Sequence, residues 1–262
     1  MGFDWTDKRV LVTGASSGIG AALAERLAAS GAVVGLVARR ERELSEVLER
    51  CRVHAPSSTS WAVDLADLDA VDVLARSVGD AFGPLDVLVN NAGMPKRKGV
   101  LDIDADMVER VMHLNYVSPV RLTLGLLPAM VERGSGLIVN VASVAATLSS
   151  PGEGAYDASK AALAVFSEAM AIDLWDTGVK VTTVYPGVVD TPLFAIPDND
   201  PLPPDITPIP VDEFLEGLLA GIDEDRREIY VPAWFKDVVK HKVDDLDRFL
   251  AGSADYVRKN RD

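Results

Sequence analysis

Tyr156 and Lys160 stand four residues apart in Tyr156-Asp157-Ala158-Ser159-Lys160, and Ser143 precedes them. On a helix that spacing brings two side chains to one face, so an ammonium can sit beside a phenol. A free tyrosine titrates at about 10, and moving a pKa by one corresponds to about 1.4 kcal/mol. To exchange a proton near neutral pH, the phenol needs a cation that favours its phenolate by on the order of 4 kcal/mol. Lys160 is placed to supply much of that. Most Tyr-x-x-x-Lys pairs are ordinary surface pairs, so the assignment depends on the elements around this one.

The apolar run Val10-Leu11-Val12 leads into Thr13-Gly14-Ala15-Ser16-Ser17-Gly18-Ile19-Gly20 and then a helical stretch from Ala21 to Ala29. Strand, glycine loop and helix in this order suit a pyrophosphate, which docks on the N–H groups of a helix start. The spacing Gly-x-x-x-Gly-x-Gly differs from the commoner Gly-x-Gly-x-x-Gly fingerprint. A second buried strand ends in Asn90-Asn91-Ala92-Gly93, and Pro186-Gly187 follows a strand ending at Tyr185.

Taken together, Thr13-Gly14 through Gly20, Asn90-Asn91-Ala92-Gly93, Asn115, Ser143, Tyr156, Lys160 and Pro186-Gly187 resemble, in order and spacing, the short-chain dehydrogenase/reductase family. The resemblance runs from about residue 8 to 192. It implies one Rossmann-like domain over 1–262, a substrate loop or lid over 188–222, and a C-terminal helical tail over 236–262. Tyr156 is then the acid in carbonyl reduction and the base in alcohol oxidation. Ser143 holds the substrate oxygen, Lys160 tunes the tyrosine and binds the nicotinamide ribose, and Asn115 holds a water linking Lys160 to solvent.

The implied cofactor contacts are Gly14, Ser16, Ser17, Gly18, Ile19 and Gly20 at the loop, and Asn91, Ala92 and Gly93 after the fourth strand. Asp64 and Leu65 would meet the adenine, and Pro186, Gly187, Val189 and Thr191 the nicotinamide side. NAD-preferring relatives carry an acidic residue where this chain has Ala38, followed by Arg39 and Arg40. A guanidinium there pairs with a 2′-phosphate, and Ala38 offers no carboxylate to repel it. NADP(H) is therefore expected over NAD(H).

Alternating apolar runs predict strands near 9–13, 33–38, 60–63, 85–90, 136–142, 179–185 and 228–231. Helices are predicted near 18–30, 40–52, 67–82, 105–132, 155–176 and 211–222. That alternation implies an α/β fold, a doubly wound, mostly parallel seven-stranded sheet with helices on both faces. Gly14, Asn91, Ser143 and Pro186 each fall just after a strand, so they converge on one edge, where such sheets bind ligands.

Composition sets outer bounds. Hydrophobic residues are 48% and charged residues 25%, a globular average. A net charge of −14, from 26 basic and 40 acidic residues, argues against nucleic acid or an anionic membrane as partner. The opening Met1-Gly2-Phe3-Asp4-Trp5 lacks signal-peptide character, and no apolar run is long enough to span a bilayer, so a cytoplasmic protein is expected. Cys51 is the single cysteine, and His54, His113 and His241 lack ligand spacing, so no metal site is expected.

Substrate identity is less legible. Residues 188–210 hold seven prolines among Leu193, Phe194, Ile196, Leu202 and Ile206, which suits a loop covering an apolar or amphiphilic carbonyl or alcohol. Lys96-Arg97-Lys98 would attract an anionic substrate or cofactor, or is simply solvated. The C-terminal part lacks the ending of many tetrameric relatives, so a homodimer or another homo-oligomer is expected. Val239, Val243, Leu246 and Leu250 at helical spacing predict a tail helix packed on its own subunit or a partner. Membrane attachment through Trp234 and Phe235 is the sharper alternative, disfavoured by Asp237, Asp244, Asp245 and Asp247. Two further alternatives stay open: an NAD-dependent alcohol dehydrogenase, and a dinucleotide-binding protein without catalysis.

Overall fold

A computed structural model describes residues 2–202 and 205–259. Met1, Pro203, Pro204 and the last three residues of the expected tail lie outside the described residues. Seven strands form one sheet in the order β3-β2-β1-β4-β5-β6-β7. They are β1 (Arg9–Thr13), β2 (Val33–Ala38), β3 (Thr59–Ala62), β4 (Val87–Asn90), β5 (Gly136–Val141), β6 (Val179–Pro186) and β7 (Glu228–Val231). Every pairing is parallel, where the alternation of elements implies only a mostly parallel sheet. The order reverses direction between β1 and β4, which opens a crevice beyond their C-terminal ends.

Parallel strands covered on both faces must be apolar throughout, as Val10, Leu11, Val12, Leu88 and Ile138 are, each with no exposed surface. On one face α1 (Gly18–Ala29), α2 (Glu41–Arg52) and α8 (Val211–Asp223) bury Leu23, Leu27, Val47, Phe214 and Leu218. Cys51 of α2 packs there, and burial pushes its thiol up to about 11. On the other face α3 (Leu68–Phe82), α5 (Ser118–Arg133) and α7 (Gly154–Asp173) bury Leu74, Val78, Leu122, Met130 and Met170. A smaller cluster under β6 and β7 stacks Tyr185 on Tyr230, with ring centroids 4.4 Å apart.

Four elements depart from the sequence expectation. The helix expected over 105–132 is α4 (Ala105–Met112), a π-helical turn (His113–Val117) and α5, so its middle carries an insertion that re-aims one side chain. A short α6 (Ala145–Leu148) lies between β5 and α7, and a 3-10 turn (Pro192–Ala195) lies inside the expected loop. The tail is two helices, α9 (Phe235–Asp244) and α10 (Leu246–Lys259), separated at Asp245, whose φ of −152° and ψ of 87° leave the helical region. The break rotates the predicted stripe out of register. Val239 is half-buried while Val243, Leu246 and Leu250 are 78%, 50% and 48% exposed, so only the start of that stripe packs on its own subunit. No described helix is long and apolar enough to cross a membrane.

Candidate active site

The glycine loop follows β1 and is held by side chains of the strand ends. Thr13 Oγ1 accepts from the N–H groups of Asn91 and Ala92, both at 3.0 Å, and donates to the Val89 carbonyl at 3.2 Å. Asn91 Nδ2 donates to the Thr13 carbonyl at 2.9 Å. A Cβ on Gly20 would lie 2.4 Å from the Gly14 carbonyl oxygen and 2.6 Å from Asn91 Nδ2. One on Gly14 would meet Ala92 Cα at 2.9 Å. These two glycines are therefore required by the loop's contact with itself and with the end of β4, before any ligand is considered. Gly18, at φ +55°, faces Thr191, which brings the segment after β6 against the loop.

The start of α1 differs from those of α3 and α4. Ser17 occupies the N-cap position without a side-chain capping bond, and the first turn holds no acidic residue. By contrast, Asp67 caps α3 by accepting from Asp69 and Ala70, and Asp104 caps α4 by accepting from Met107. An N-terminus without a side-chain cap or a first-turn carboxylate is a ready anion site. Arg40 leans over it, its Nη2 donating to Ser16 Oγ at 3.1 Å and Ser17 Oγ at 2.7 Å. Arg39 is 74% exposed and pairs with Asp64 at 3.6 Å, so a carboxylate absent at Ala38 is supplied from the end of β3. Leu65 packs into the core beside it, and Ile19 packs against the opposite face.

Across the crevice, β5 ends at Val141 and delivers Ser143, whose Oγ accepts from Ala145 N–H at 3.1 Å. Ser143 lies near enough to Tyr156 on α7 to favour its phenolate. Lys160, one turn further, is 3% exposed, donates to the Val141 carbonyl at 2.8 Å and lies 5.9 Å from the Tyr156 ring centroid. Asn115 sits fully buried in the π-helical turn. Its Oδ1 accepts from Met94 N–H at 2.8 Å, and its Nδ2 donates to the Met94 carbonyl and to Ser159 Oγ, both at 3.0 Å. The amide is thus spent on fastening the segment after β4 to α7. Gly93 separates Asn115 from Lys160: a Cβ there would lie 3.2 Å from Asn115 Oδ1 and 3.3 Å from Lys160 Nζ.

The expected electrostatics are not what this geometry gives. Burial drives the Tyr156 phenol well above its ordinary value; Ser143 and Arg97 oppose that rise, while Glu153 and Asp157 add to it. Burial also brings Lys160 down to about 8, so it remains largely a cation at neutral pH. The lysine is anchored to a carbonyl behind the tyrosine ring. Asp157, between them in sequence, is pushed by burial up to about 8, and its Oδ1 has no hydrogen-bond partner among the described residues. Nothing in the sequence singled out Asp157, Glu153 or Ser159; an acidic residue between the tyrosine and lysine was the available signal.

The segment after β6 completes the site. Gly187 N–H donates to the Val231 carbonyl at 2.8 Å, and Val189 is buried and bridges Ile209. The 192–200 stretch is pinned to residues 96–98. Lys96, 4% exposed, bonds the Asp198 carboxylate at 2.6 Å, and Lys98 lies 3.6 Å from Asp198 and 3.5 Å from Asp200. The basic run is therefore not a solvated patch.

A family model described as short chain dehydrogenase matches residues 8–200, and the chain belongs to that family. Among curated proteins it is 42% identical over 195 residues to one from Mycobacterium tuberculosis named fatty acyl-CoA reductase, the match covering 73% of this chain and 66% of that one. A protein of the same name from Acinetobacter baylyi is 39% identical, over 72% of this chain and 64% of its own length. The match thus spans just under two thirds of these relatives. Among solved structures, a short-chain dehydrogenase from Sphingobium yanoikuyae in complex with NADPH superposes with a TM-score of 0.79 at 31% identity, over 92% of this chain and 95% of that one. One from Burkholderia cenocepacia in complex with NADP gives 0.81 at 27% identity, over 96% and 99%.

Proposed function

We propose that this chain is an NADP(H)-dependent oxidoreductase that interconverts a ketone or aldehyde with its alcohol. The observation that carries the reading is the meeting of Ser143, Tyr156 and Lys160 at the C-terminal ends of β4, β5 and β6, opposite a helix start that no side chain caps. The residues around α1 suit a dinucleotide: the N–H groups of Gly18, Ile19 and Gly20 would take the pyrophosphate, and Arg40, backed by Arg39, the 2′-phosphate. When bound, a reduced nicotinamide supplies hydride to the carbonyl carbon. Tyr156 Oη, kept protonated by burial, gives its proton to the carbonyl oxygen, and Ser143 Oγ holds that oxygen as charge develops on it. Lys160 would hold the ribose and, as a cation 5.9 Å from the Tyr156 ring centroid, would favour the phenolate in the return direction. Asn115 fixes the wall between Met94 and Ser159 that keeps these groups in place.

The half-buried Leu193 and Phe194 beside the site support an apolar substrate body. The two relatives named fatty acyl-CoA reductase favour a long acyl chain as that body. The cofactor half of this reading is tested by titrating the purified protein with NADPH and NADH in parallel. NADPH is expected to bind at least tenfold tighter, about 1.4 kcal/mol. Equal or tighter NADH binding would overturn the assignment of Arg40 and point to NAD-dependent alcohol oxidation.

A further inference from the structure

Three cations follow one another at residues 96–98, and the fold treats them differently. Lys96 and Lys98 face carboxylates on the 192–200 stretch. Arg97 does not. It is 5% exposed, its Nε donates to the Asp200 carbonyl at 2.6 Å, its Nη2 to the Phe194 carbonyl at 3.1 Å, and its guanidinium lies 5.4 Å from the centroid of the Phe194 ring. All of these partners are neutral. Its Nη1 is buried with no hydrogen-bond partner, and no carboxylate among the described residues lies within ion-pair distance. A buried charge without a counter-ion is costly, and so is a buried donor without an acceptor.

The position of this cation is set by its neighbours. Gly93 stands against Lys160, Met94 is tied to Asn115, and Lys98 N–H donates to the Gly152 carbonyl just ahead of α7. The segment carrying Arg97 therefore runs along the helix start that bears Tyr156. Arg97's charge is felt by both Tyr156 and Glu153: burial pushes the Glu153 carboxyl up and Arg97 opposes that rise, with no ion pair between the two.

We infer that Arg97 is the substrate-reading residue of this site, its free Nη1 taking a carboxylate on the substrate while Nε and Nη2 hold the 194–200 stretch over it. The inference rests on the reading of the site as a carbonyl oxidoreductase and narrows its substrate to an amphiphile: an apolar body, a reacting carbonyl and an anionic group within reach of Arg97. Substrate binding and closure of that stretch then depend on one guanidinium.

The test uses NADPH and a positional series of oxo-octanoates, each beside its methyl ester, with kcat/KM measured for the wild-type protein, Arg97→Gln and Arg97→Lys. For at least one ketone position the wild type is expected to prefer the carboxylate tenfold or more. Arg97→Gln should lower the carboxylate rate at least tenfold more than the ester rate, and Arg97→Lys should keep part of the preference. Asp198→Ala, which loosens the same stretch through Lys96, should lower both by one factor. Equal rates on acids and esters throughout the wild-type series would overturn the inference without any variant. So would an Arg97→Gln loss that is the same for both, since that describes a loop clamp. If the wild type reduces neither class, the carbonyl reading itself fails and carries this inference with it.

Discussion

The two sides of the crevice handle charge in opposite ways. Around β1, α1 and β2, the groups offered to a ligand are exposed: Arg40 resting on serine hydroxyls, Arg39 paired with Asp64, and the N–H groups of an uncapped helix. Around β5 and α7 they are buried and displaced: Tyr156 pushed up, Lys160 brought down, Asp157 pushed up. Binding a soluble phosphate needs donors that water can reach until the ligand arrives. Moving a proton needs groups whose protonation the surroundings have already biased.

Tyr156→Phe is the largest expected break in that contrast. It removes the proton donor and leaves the α1 side untouched, so turnover should fall roughly 10²- to 10⁴-fold while the dissociation constant for NADPH stays near wild type. Near-normal turnover would show that another group supplies the proton.

Asp157→Asn comes next, and it acts on stability. The folded carboxyl titrates at about 8 in place of its ordinary 3.8. Between those values the unfolded chain has released the proton and the folded chain retains it, so this carboxyl's contribution to stability declines as pH rises from about 4 to about 8. The variant has no such proton to retain. It should be more stable than wild type by on the order of 2 kcal/mol at pH 8, with the gain shrinking toward zero near pH 4. Urea midpoints across that range decide it, and a gain independent of pH would assign the effect to packing.

Arg40→Ala is the smallest. An exposed cation contributes modestly, so NADPH affinity should weaken about fivefold, ~1 kcal/mol, with NADH affinity nearly unchanged. An equal loss for both cofactors would place Arg40 in holding the loop through Ser16 and Ser17.

The legibility of the two sides differs for the same reason. Strand β1, the glycine loop and α1 lie within residues 9–29, so local periodicity and glycine spacing reveal them. The fourth and fifth strands fall within two residues of their predicted places, because a sheet covered on both faces demands continuous apolar runs. The π-helical turn at Asn115 escapes such reading, since an inserted residue leaves the apolar pattern of a long helix almost intact. The tail stripe misleads because a single non-helical residue, Asp245, resets the phase of everything after it.

The sequence alone thus determined the alternating α/β order, the edge where the motifs meet and the candidate acid, because those depend on spacing along the chain. Only the tertiary structure decided that Arg40 and not Arg39 reaches the loop, that Lys160 is anchored to Val141, and that Arg97 is buried without an ion-pair partner while its two neighbours are paired. Burial and partnership are set by segments more than a hundred residues apart, as with Lys96 and Asp198. No local pattern encodes the dielectric around a side chain, and it is that dielectric which fixes what its charge can do.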